Sequence, residues 1–355
     1  MLCPRCCGVN RLKGQLGHCG SDARLRVARA ALHHWEEPPI SGWRGSGTIF
    51  FVGCPLHCVY CQNIQISASD FGSQKSTAVV SETNLHMVAH CDDLDSQVAL
   101  TACGSPSSKA TTATSSSPNL QGTMLTHESH DAHVISEQQL ANIFLNLEKQ
   151  GAHNINLVTP THYLYSIIAA IKLARLEGFN LPIVYNTSGY ERPESIALLT
   201  NFVDVFLTDF KYASAALAKR YSCASDYPEV AFAALQAMYA QTGACTFNSD
   251  GIMTKGIIVR HLMLPGQLQD SKAVIKKVFQ EFDNNVCLSL MNQYTPMPQF
   301  LQKNRFPELC RTVSEYEYDE LIEYALDLGV SNSFMQEEGT VDASFVPAFD
   351  GTGVY

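Results

Sequence analysis

The sequence predicts an α/β fold, a partial (β/α)6 barrel that follows a Cys-rich N-terminal segment. Short apolar runs of strand length alternate with segments of helical period, which is the pattern of a parallel sheet covered by helices. Polar residues follow each apolar run, as expected for folds whose chemistry gathers at the carboxyl ends of the strands. Because six units are too few for a closed (β/α)8 barrel, the predicted barrel is open.

The order of the elements can be read along the chain. Ser136 is a typical helix N-cap, and apolar residues after it recur on one helical face. The predicted strands lie at residues 48–52, 154–158, 181–185, 203–207, 256–262 and 286–291. The predicted helices lie at residues 136–150, 164–177, 193–200, 213–220, 229–243 and 271–283.

Changes in composition divide the chain into segments. Residues 1–40 form the Cys-rich segment, and residues 41–75 and 134–300 form the barrel. Residues 76–133 lose periodicity and include a Ser/Thr-rich stretch that cannot bury a core, so they are predicted to be a flexible insertion. Residues 301–355 are predicted to be a helix and tail that pack on the barrel.

Composition and charge narrow the class of protein. The 355 residues are 46% hydrophobic, with no apolar run of the ~18 residues that a membrane span needs. The net charge of −10 gives no electrostatic reason to bind nucleic acid or anionic lipid. Thirteen cysteines without a signal peptide predict a reducing compartment, the cytoplasm, although the basic N-terminus leaves import into an organelle open.

Three cysteines follow the first predicted strand. Cys54, Cys58 and Cys61 form a C-x3-C-x2-C loop, and thiolates are the natural ligands of iron–sulfur clusters. The loop has no fourth thiol, so one iron of a [4Fe–4S] cluster would stay open to an exogenous chelator. The alternatives are a zinc loop, which would need a fourth ligand, and three thiols with no ligand role.

This motif, with Tyr60 before its last cysteine, resembles the signature of the radical S-adenosylmethionine (SAM) superfamily. The rest of the chain is similar to a branch related to pyruvate formate-lyase-activating enzymes, over about residues 3–75 and 134–350. The stretches that carry this similarity are residues 28–37, 45–51, 151–160, 185–190, 209–212 and 260–266. The resemblance implies the partial barrel of the radical SAM type.

The resemblance also implies a reaction and its cofactors. A [4Fe–4S] cluster on Cys54, Cys58 and Cys61 would bind SAM and cleave it reductively to methionine and a 5′-deoxyadenosyl radical, which abstracts hydrogen from a substrate. The implied SAM contacts are at Tyr60, Thr159, Asn186, Ser188, Asp209, Lys211, Arg260 and His261.

One stretch departs from the pattern of the family. Activating enzymes usually carry Gly-Gly-Glu after the second strand and bind the SAM ammonium there, whereas this chain has Val-Thr-Pro-Thr-His at residues 158–162. Thr159 and Thr161 offer hydroxyl groups and carbonyls in its place, but no carboxylate.

The residue types at the other positions suit SAM, and each has a structural alternative. Asp209 can accept from an ammonium or a ribose hydroxyl, and Lys211 can bind a carboxylate, or the two can form an ion pair at the rim. Asn186 and Ser188 can instead satisfy a turn before Gly189. The alternative for residues 260 and 261 is a satisfied polar pair at a strand end.

The N-terminal segment carries four thiols of its own. Cys3, Cys6, Cys7 and Cys19 lie close together in the chain and predict either a small site for zinc or a second cluster, or a loop of reduced thiols. His33 and His34 are predicted to lie on a helix, as surface or capping residues rather than ligands.

Partners follow from the proposed chemistry. The chain has no flavin or nicotinamide fingerprint, so a ferredoxin or flavodoxin is expected as electron donor. The leading hypothesis is activation of a glycyl radical enzyme. The alternatives are a small-molecule or other protein substrate, and a non-catalytic iron–sulfur or zinc module.

Overall fold

A mixed sheet, open at both ends, forms the centre of the fold in a computed structural model that describes residues 1–67, 132–297, 305–335 and 347–354. Its strands are β1 (Leu25–His33), β2 (Ser46–Phe51), β3 (His133–Ile135), β4 (Ile155–Val158), β5 (Ile183–Thr187), β6 (Val205–Asp209), β7 (Thr246–Phe247), β8 (Met253–Leu262), β9 (Cys287–Met291) and β10 (Ser333–Met335).

Helices follow most of the parallel strands, as in repeated βα units. They are α1 (Pro38–Ser41), α2 (Ile64–Ser67), α3 (Glu137–Lys149), α4 (Leu164–Leu176), α5 (Pro193–Ala197), α6 (Ala215–Ser222), α7 (Tyr227–Thr242), α8 (Leu268–Phe282) and α9 (Glu315–Leu328). None of these described helices is long and apolar enough to cross a membrane.

The parallel strands run in the order β2-β4-β5-β6-β8-β9-β10. At the β2 side the sheet continues through β1 and then β3, both antiparallel to their neighbours, and β7 pairs with β8. The register sets Arg260 beside Asp209, so two charged residues of adjacent strands lie side by side near the carboxyl ends. Asn186 lies beside Val158 at the same end of the sheet. The fold is therefore the partial, open α/β barrel that the sequence predicts.

All six predicted strands are present, and the predicted helices agree within a few residues. Ser136 caps α3 in a full capping box, because its hydroxyl accepts from Gln139 N and the Gln139 side chain accepts from Ser136 N. The seventh parallel strand, β10, was not predicted. The Ser/Thr-rich insertion predicted at residues 76–133 lies almost entirely outside the described residues.

The prediction that His33 and His34 lie on a helix is wrong. Residues 25–33 are strand β1, which pairs with β2 from Val27 to His33. Ala, Leu and Arg favour a helix locally, but hydrogen bonding to β2 and burial of the first four residues of the strand override that preference. The C-terminal tail covers the other edge of this strand, since Gly351 N donates to Ala28 O and Ala30 N donates to Thr352 O.

Residues 36–41 close the amino-terminal end of the barrel. Ile40 packs in the lower barrel against apolar residues of β5, β6, β8 and β9, and Asn154 Nδ2 donates to Ile40 O over 2.7 Å. The apolar partners of Ile40 are Val184, Val205, Leu207, Met253, Ile258 and Cys287. Glu36, in the same segment, extends from this end of the barrel towards Asn156, Asn186 and Arg260.

Candidate functional site

The cysteine loop begins at Gly53, directly after β2. Gly53 has a φ of +94°, and a Cβ at this position would collide with the Ser21 side chain and the Cys19 carbonyl. His57, inside the loop, also has a positive φ of +60°, which is costly for a residue other than glycine. The loop is then fixed by a hydrogen bond from Cys61 N to Cys58 O over 3.1 Å. Backbone geometry of this kind holds the three thiols in one short loop.

Each thiol of the loop has a polar neighbour. Leu56 N donates to Cys54 Sγ over 3.4 Å, and Ser222 Oγ donates to Cys58 Sγ over 3.1 Å. Ser67 Oγ lies 3.4 Å from Cys61 Sγ. Hydrogen bonds to sulfur are a common feature around iron–sulfur clusters, where they stabilise the thiolate ligands.

Burial opposes ionisation of the Cys54 and Cys61 thiols. Burial and the neighbouring thiols Cys61 and Cys58 raise the pKa of Cys54 to about 12, and burial likewise raises the pKa of Cys61. Three crowded thiolates in a buried loop need a positive partner, which iron would supply. Within the described residues no three His, Cys, Asp or Glu side chains can share one ion. A cubane does not require that, since each thiolate binds a different iron.

Arg5 of the N-terminal segment clamps the cysteine loop from outside. Its guanidinium donates to Pro55 O over 2.8 Å and to Leu56 O over 3.2 Å. It also donates to Ser222 O over 3.1 Å and to Cys223 O over 2.6 Å. One side chain thus joins the loop to the end of α6, which carries the hydroxyl bonded to Cys58.

Asp209, Lys211 and Arg260 form a charged group at the carboxyl ends of β6 and β8. Asp209 accepts from Lys211 Nζ over 2.7 Å and from Arg260 Nε over 3.0 Å. Burial acts to raise the pKa of Asp209, but Lys211 and Arg260 outweigh it and hold the pKa below its usual value. The carboxylate is therefore ionised. The ion pair of Asp209 and Lys211, which was the structural alternative for these residues, is present.

Lys211 connects this charged group to the cysteine loop. Burial acts to lower the pKa of Lys211, but Asp209 and Cys58 hold it above its usual value. The same ammonium acts against the burial that raises the pKa of Cys61. The ammonium and the thiols therefore interact electrostatically, which links the cysteine loop and the rim charges in one site.

A polar layer inside the barrel consists of Glu36, Asn156, Asn186 and Arg260. Its carboxylate accepts from Asn156 Nδ2 over 2.8 Å and from Arg260 Nη1 over 3.3 Å. Asn186 lies between the same groups, with its Oδ1 accepting from Arg260 Nη2 over 2.6 Å and its Nδ2 donating to Glu36 over 3.4 Å. Burial raises the pKa of Glu36 despite the nearby Arg260. No motif in the sequence singles out Glu36, because its partners are distant in the chain.

Arg260 and His261 point to opposite faces of the sheet. Arg260 joins the polar layer, whereas His261 is 2% exposed and its Nδ1 lies 2.8 Å from Phe210 O. Burial lowers the pKa of His261 to about 4, so the ring is neutral. Alternation along a strand requires this separation. The structure therefore brings Arg260, but not His261, to the predicted site.

Tyr60 is buried, so its ring is not an open surface for adenine. The side chain is 5% exposed and packs edge-on against the rings of Tyr212, Tyr221 and Tyr294. Its hydroxyl lies 2.6 Å from the hydroxyl of Tyr212.

The loops after β4 and β5 place two predicted contacts at the rim. Thr159 has a φ of +57°, a strained value for a β-branched residue, and its N donates to Asn186 O over 2.9 Å. The Ser188 carbonyl accepts from Tyr227 Oη over 2.8 Å. Gly189 follows with a φ of +78°. Glycine is needed at this position because a Cβ would collide with the carbonyl of Asp209.

Thr161 has a structural partner below the rim. Its hydroxyl and that of Thr187 each donate to Glu191 Oε1 over 2.5 Å. Glu191 is fully buried, and burial raises its pKa to about 7 although the two hydroxyls act to lower it. The carboxyl thus ties together the loops that carry Thr159 and Ser188.

The four N-terminal thiols are not arranged around a single ion. Cys3 and Cys19 are buried, whereas Cys6 and Cys7 are exposed. Arg11 Nη2 donates to Cys19 Sγ over 3.1 Å, and His18 N donates to Cys7 Sγ over 3.1 Å. The absence of a three-residue ion site among the described residues includes this segment. A zinc site therefore gains no support from the geometry, whereas a second cluster, in which each thiolate would bind a different iron, stays a prediction.

Comparison with known proteins gives distant similarities. No family model matches the chain. The uncharacterized protein MJ0674 of Methanocaldococcus jannaschii is 24% identical over 336 residues, which are 92% of this chain and 75% of that protein.

Two solved structures resemble parts of the fold. A domain of a pyruvate-formate lyase-activating enzyme from Bacteroides vulgatus has a TM-score of 0.39 at 12% identity, over 52% of this chain and all of that domain. SuiB of Streptococcus suis, bound to its precursor peptide SuiA, has a TM-score of 0.39 at 10% identity, over 58% of this chain and 43% of SuiB.

Proposed function

We propose that this chain is a radical SAM enzyme, with a [4Fe–4S] cluster on Cys54, Cys58 and Cys61. The observation that carries the proposal is the double interaction of Lys211, which forms a 2.7 Å ion pair with Asp209 and interacts electrostatically with the thiols of the loop. A cysteine loop with one iron left open and a set of rim charges thus form one site. That combination suits a chelating, zwitterionic cofactor.

The residues around the loop supply the groups that SAM needs. In this proposal Lys211 binds the methionine carboxylate, and Asp209 accepts from the ammonium or the ribose. Arg260 orients Asp209, and Asn186 in turn holds Arg260. The strained backbone of Thr159 lies in the stretch where the family has Gly-Gly-Glu. With both cofactors bound, the site would supply one-electron reductive cleavage of SAM to methionine and a 5′-deoxyadenosyl radical.

The buried surroundings of the site protect such chemistry from water. Ser222, Tyr212 and Tyr60 enclose the cysteine loop on one side, and Ile40 and Glu36 close the barrel below. A reactive intermediate needs exclusion of solvent to avoid side reactions. The polar layer is correspondingly preorganised by hydrogen bonds, so that little reorganisation is needed when the cofactor binds.

The proposal includes a protein partner and a source of electrons. Activation of a glycyl radical enzyme is the substrate hypothesis that the resemblance of the motifs favours. A ferredoxin or flavodoxin is proposed as electron donor, because the chain carries no motif for a flavin or nicotinamide of its own.

Metal analysis combined with SAM titration tests the proposal. After anaerobic reconstitution we expect iron and labile sulfide in a ratio close to one, and calorimetric SAM binding that disappears in Lys211→Ala. An exposed lysine variant, Lys149→Ala, is the control for loss of charge alone. Zinc without sulfide, or a cluster with no affinity for SAM, would instead indicate a non-catalytic module.

A further inference from the structure

A chain of buried hydroxyl groups ends on one sulfur of the cysteine loop. The Tyr60 hydroxyl lies 2.6 Å from the Tyr212 hydroxyl, which lies 2.7 Å from Ser222 Oγ. Ser222 Oγ in turn donates to Cys58 Sγ over 3.1 Å. The three residues come from the cysteine loop, from the segment after β6 and from the end of α6, so only the folded chain assembles them.

The direction of the hydrogen bonds follows from the number of protons. Each hydroxyl carries one proton, and a thiolate ligand carries none. If Ser222 donates to Cys58, Tyr212 must donate to Ser222, and Tyr60 must donate to Tyr212. All three bonds therefore point towards the sulfur. Donors in series polarise one another, so the terminal bond is stronger than an isolated hydroxyl would make it.

Burial protects this chain of hydroxyls from competing water. Ser222 is fully buried, Tyr212 is 1% exposed and Tyr60 is 5% exposed. The same ring cluster contains tyrosines outside the chain of hydroxyls: Tyr221 Oη donates to Glu308 over 2.6 Å, and Tyr294 Oη donates to Leu309 O over 2.7 Å. The ring packing and the hydroxyl chain can therefore be separated by mutation.

We propose that Ser222, supported by Tyr212 and Tyr60, is a positioning residue that raises the reduction potential of the cluster through its hydrogen bond to Cys58. Hydrogen bonds to the sulfurs of a cluster stabilise its more negatively charged, reduced form. The step affected is uptake of one electron from a low-potential donor, with no proton transferred. This inference rests on the proposed function, since it requires a cluster at Cys58.

A redox titration followed by electron paramagnetic resonance tests this role. Wild-type protein and the variants Ser222→Ala, Tyr212→Phe and Tyr60→Phe are reconstituted anaerobically and reduced stepwise with dithionite. We expect the potential to become more negative in all three, with the largest shift in Ser222→Ala and the smallest in Tyr60→Phe. Ser222→Thr, which keeps a hydroxyl, should return the potential towards the wild-type value.

Tyr221→Phe is the matched control, because it removes a hydroxyl from the same ring cluster without touching the chain to Cys58. Its potential should equal that of the wild type. Equal potentials in the wild type, Ser222→Ala and Tyr212→Phe would overturn the inference, as would an equal shift in Tyr221→Phe. A wild-type protein that binds no cluster would instead contradict the proposed function. If Ser222→Ala does not fold, Tyr212→Phe decides, since the hydroxyl of Ser222 is intact in it.

Discussion

Glu36 and Arg260 are 224 positions apart in the chain, yet Arg260 Nη1 lies 3.3 Å from Glu36 Oε2 inside the barrel. Glu36 reaches this point from the segment that closes the amino-terminal end, and Arg260 reaches it from β8. The same guanidinium binds Asp209 and Asn186. The plug of the barrel is thereby linked to the residues proposed to bind SAM.

Replacing Glu36 should weaken SAM binding indirectly, through Arg260, since Glu36 itself is not proposed to contact the cofactor. In Glu36→Gln the charge partner of Arg260 is lost, so the guanidinium is free to move and Asp209 is held less well. We expect the dissociation constant for SAM to rise about tenfold, equivalent to about 1.4 kcal/mol, in calorimetric titrations. Glu229→Gln, which changes an exposed carboxylate of α7, is the control. Equal effects of the two changes would argue against a specific role for Glu36.

The two neighbours in β8 should behave differently on mutation. Arg260→Gln leaves Asp209 and Glu36 without their shared partner, and we expect SAM affinity to fall by about 100-fold, or about 3 kcal/mol. His261→Gln changes a side chain on the other face of the sheet and should leave the affinity within about threefold of the wild type. Circular dichroism of both variants checks that the fold is retained. A larger loss of affinity in the histidine variant would reverse the assignment.

The clamp made by Arg5 should be needed for cluster retention. Arg5→Ala removes its four hydrogen bonds to backbone carbonyls of the loop and of α6. A cost of about 2 kcal/mol in ordering the loop corresponds to about 30-fold faster loss of iron to a chelator, followed by absorbance. Arg175→Ala, which removes an exposed arginine bound to the Asn201 carbonyl, is the control. Unchanged iron loss in Arg5→Ala would show that the loop holds its shape unaided.

Glu191 should make stability depend on pH. Its pKa is about 7 in the folded state against 4.5 for an ordinary glutamate. The favourable contribution of the protonated carboxyl to the free energy of unfolding is thus fully present below pH 4.5, and it is lost as the pH rises through about 7. Glu191→Gln keeps an acceptor for Thr161 and Thr187 without the charge. It should match the wild type near pH 4.5 and exceed its free energy of unfolding at pH 8 by on the order of 3 kcal/mol.

Urea unfolding of the apo-protein at the two pH values measures this difference. Glu229→Gln, which changes an exposed carboxylate of α7, is the control and should show no comparable pH dependence. A constant difference between Glu191→Gln and the wild type across the range would mean that Glu191 stays ionised in the folded state.

The parallel strands of the barrel were predictable because they are buried on both faces and appear as continuous apolar runs. Strand β1 was not, because its Ala- and Leu-rich sequence favours a helix until β2 is beside it. Strand β10 has three residues, too few for a pattern, and depends on pairing with β9.

The site shows the same division between local and distant signals. Cys54, Cys58 and Cys61 were found from their spacing, which is a local property. Arg5 and Ser222 were missed because their roles exist only where the chain folds back on the cysteine loop. The separation of Arg260 from His261 was available in the sequence, since adjacent residues of a strand face opposite sides.

Formation of 5′-deoxyadenosine is the decisive test of whether this chain is a radical SAM enzyme. Reconstituted protein is incubated anaerobically with SAM and dithionite, and the products are quantified by chromatography and mass spectrometry beside a Cys54→Ala, Cys58→Ala, Cys61→Ala variant. We expect 5′-deoxyadenosine and methionine in equal amounts from the wild type and neither above background from the variant. A wild-type protein that carries a full cluster and binds SAM, but forms no 5′-deoxyadenosine, would contradict it.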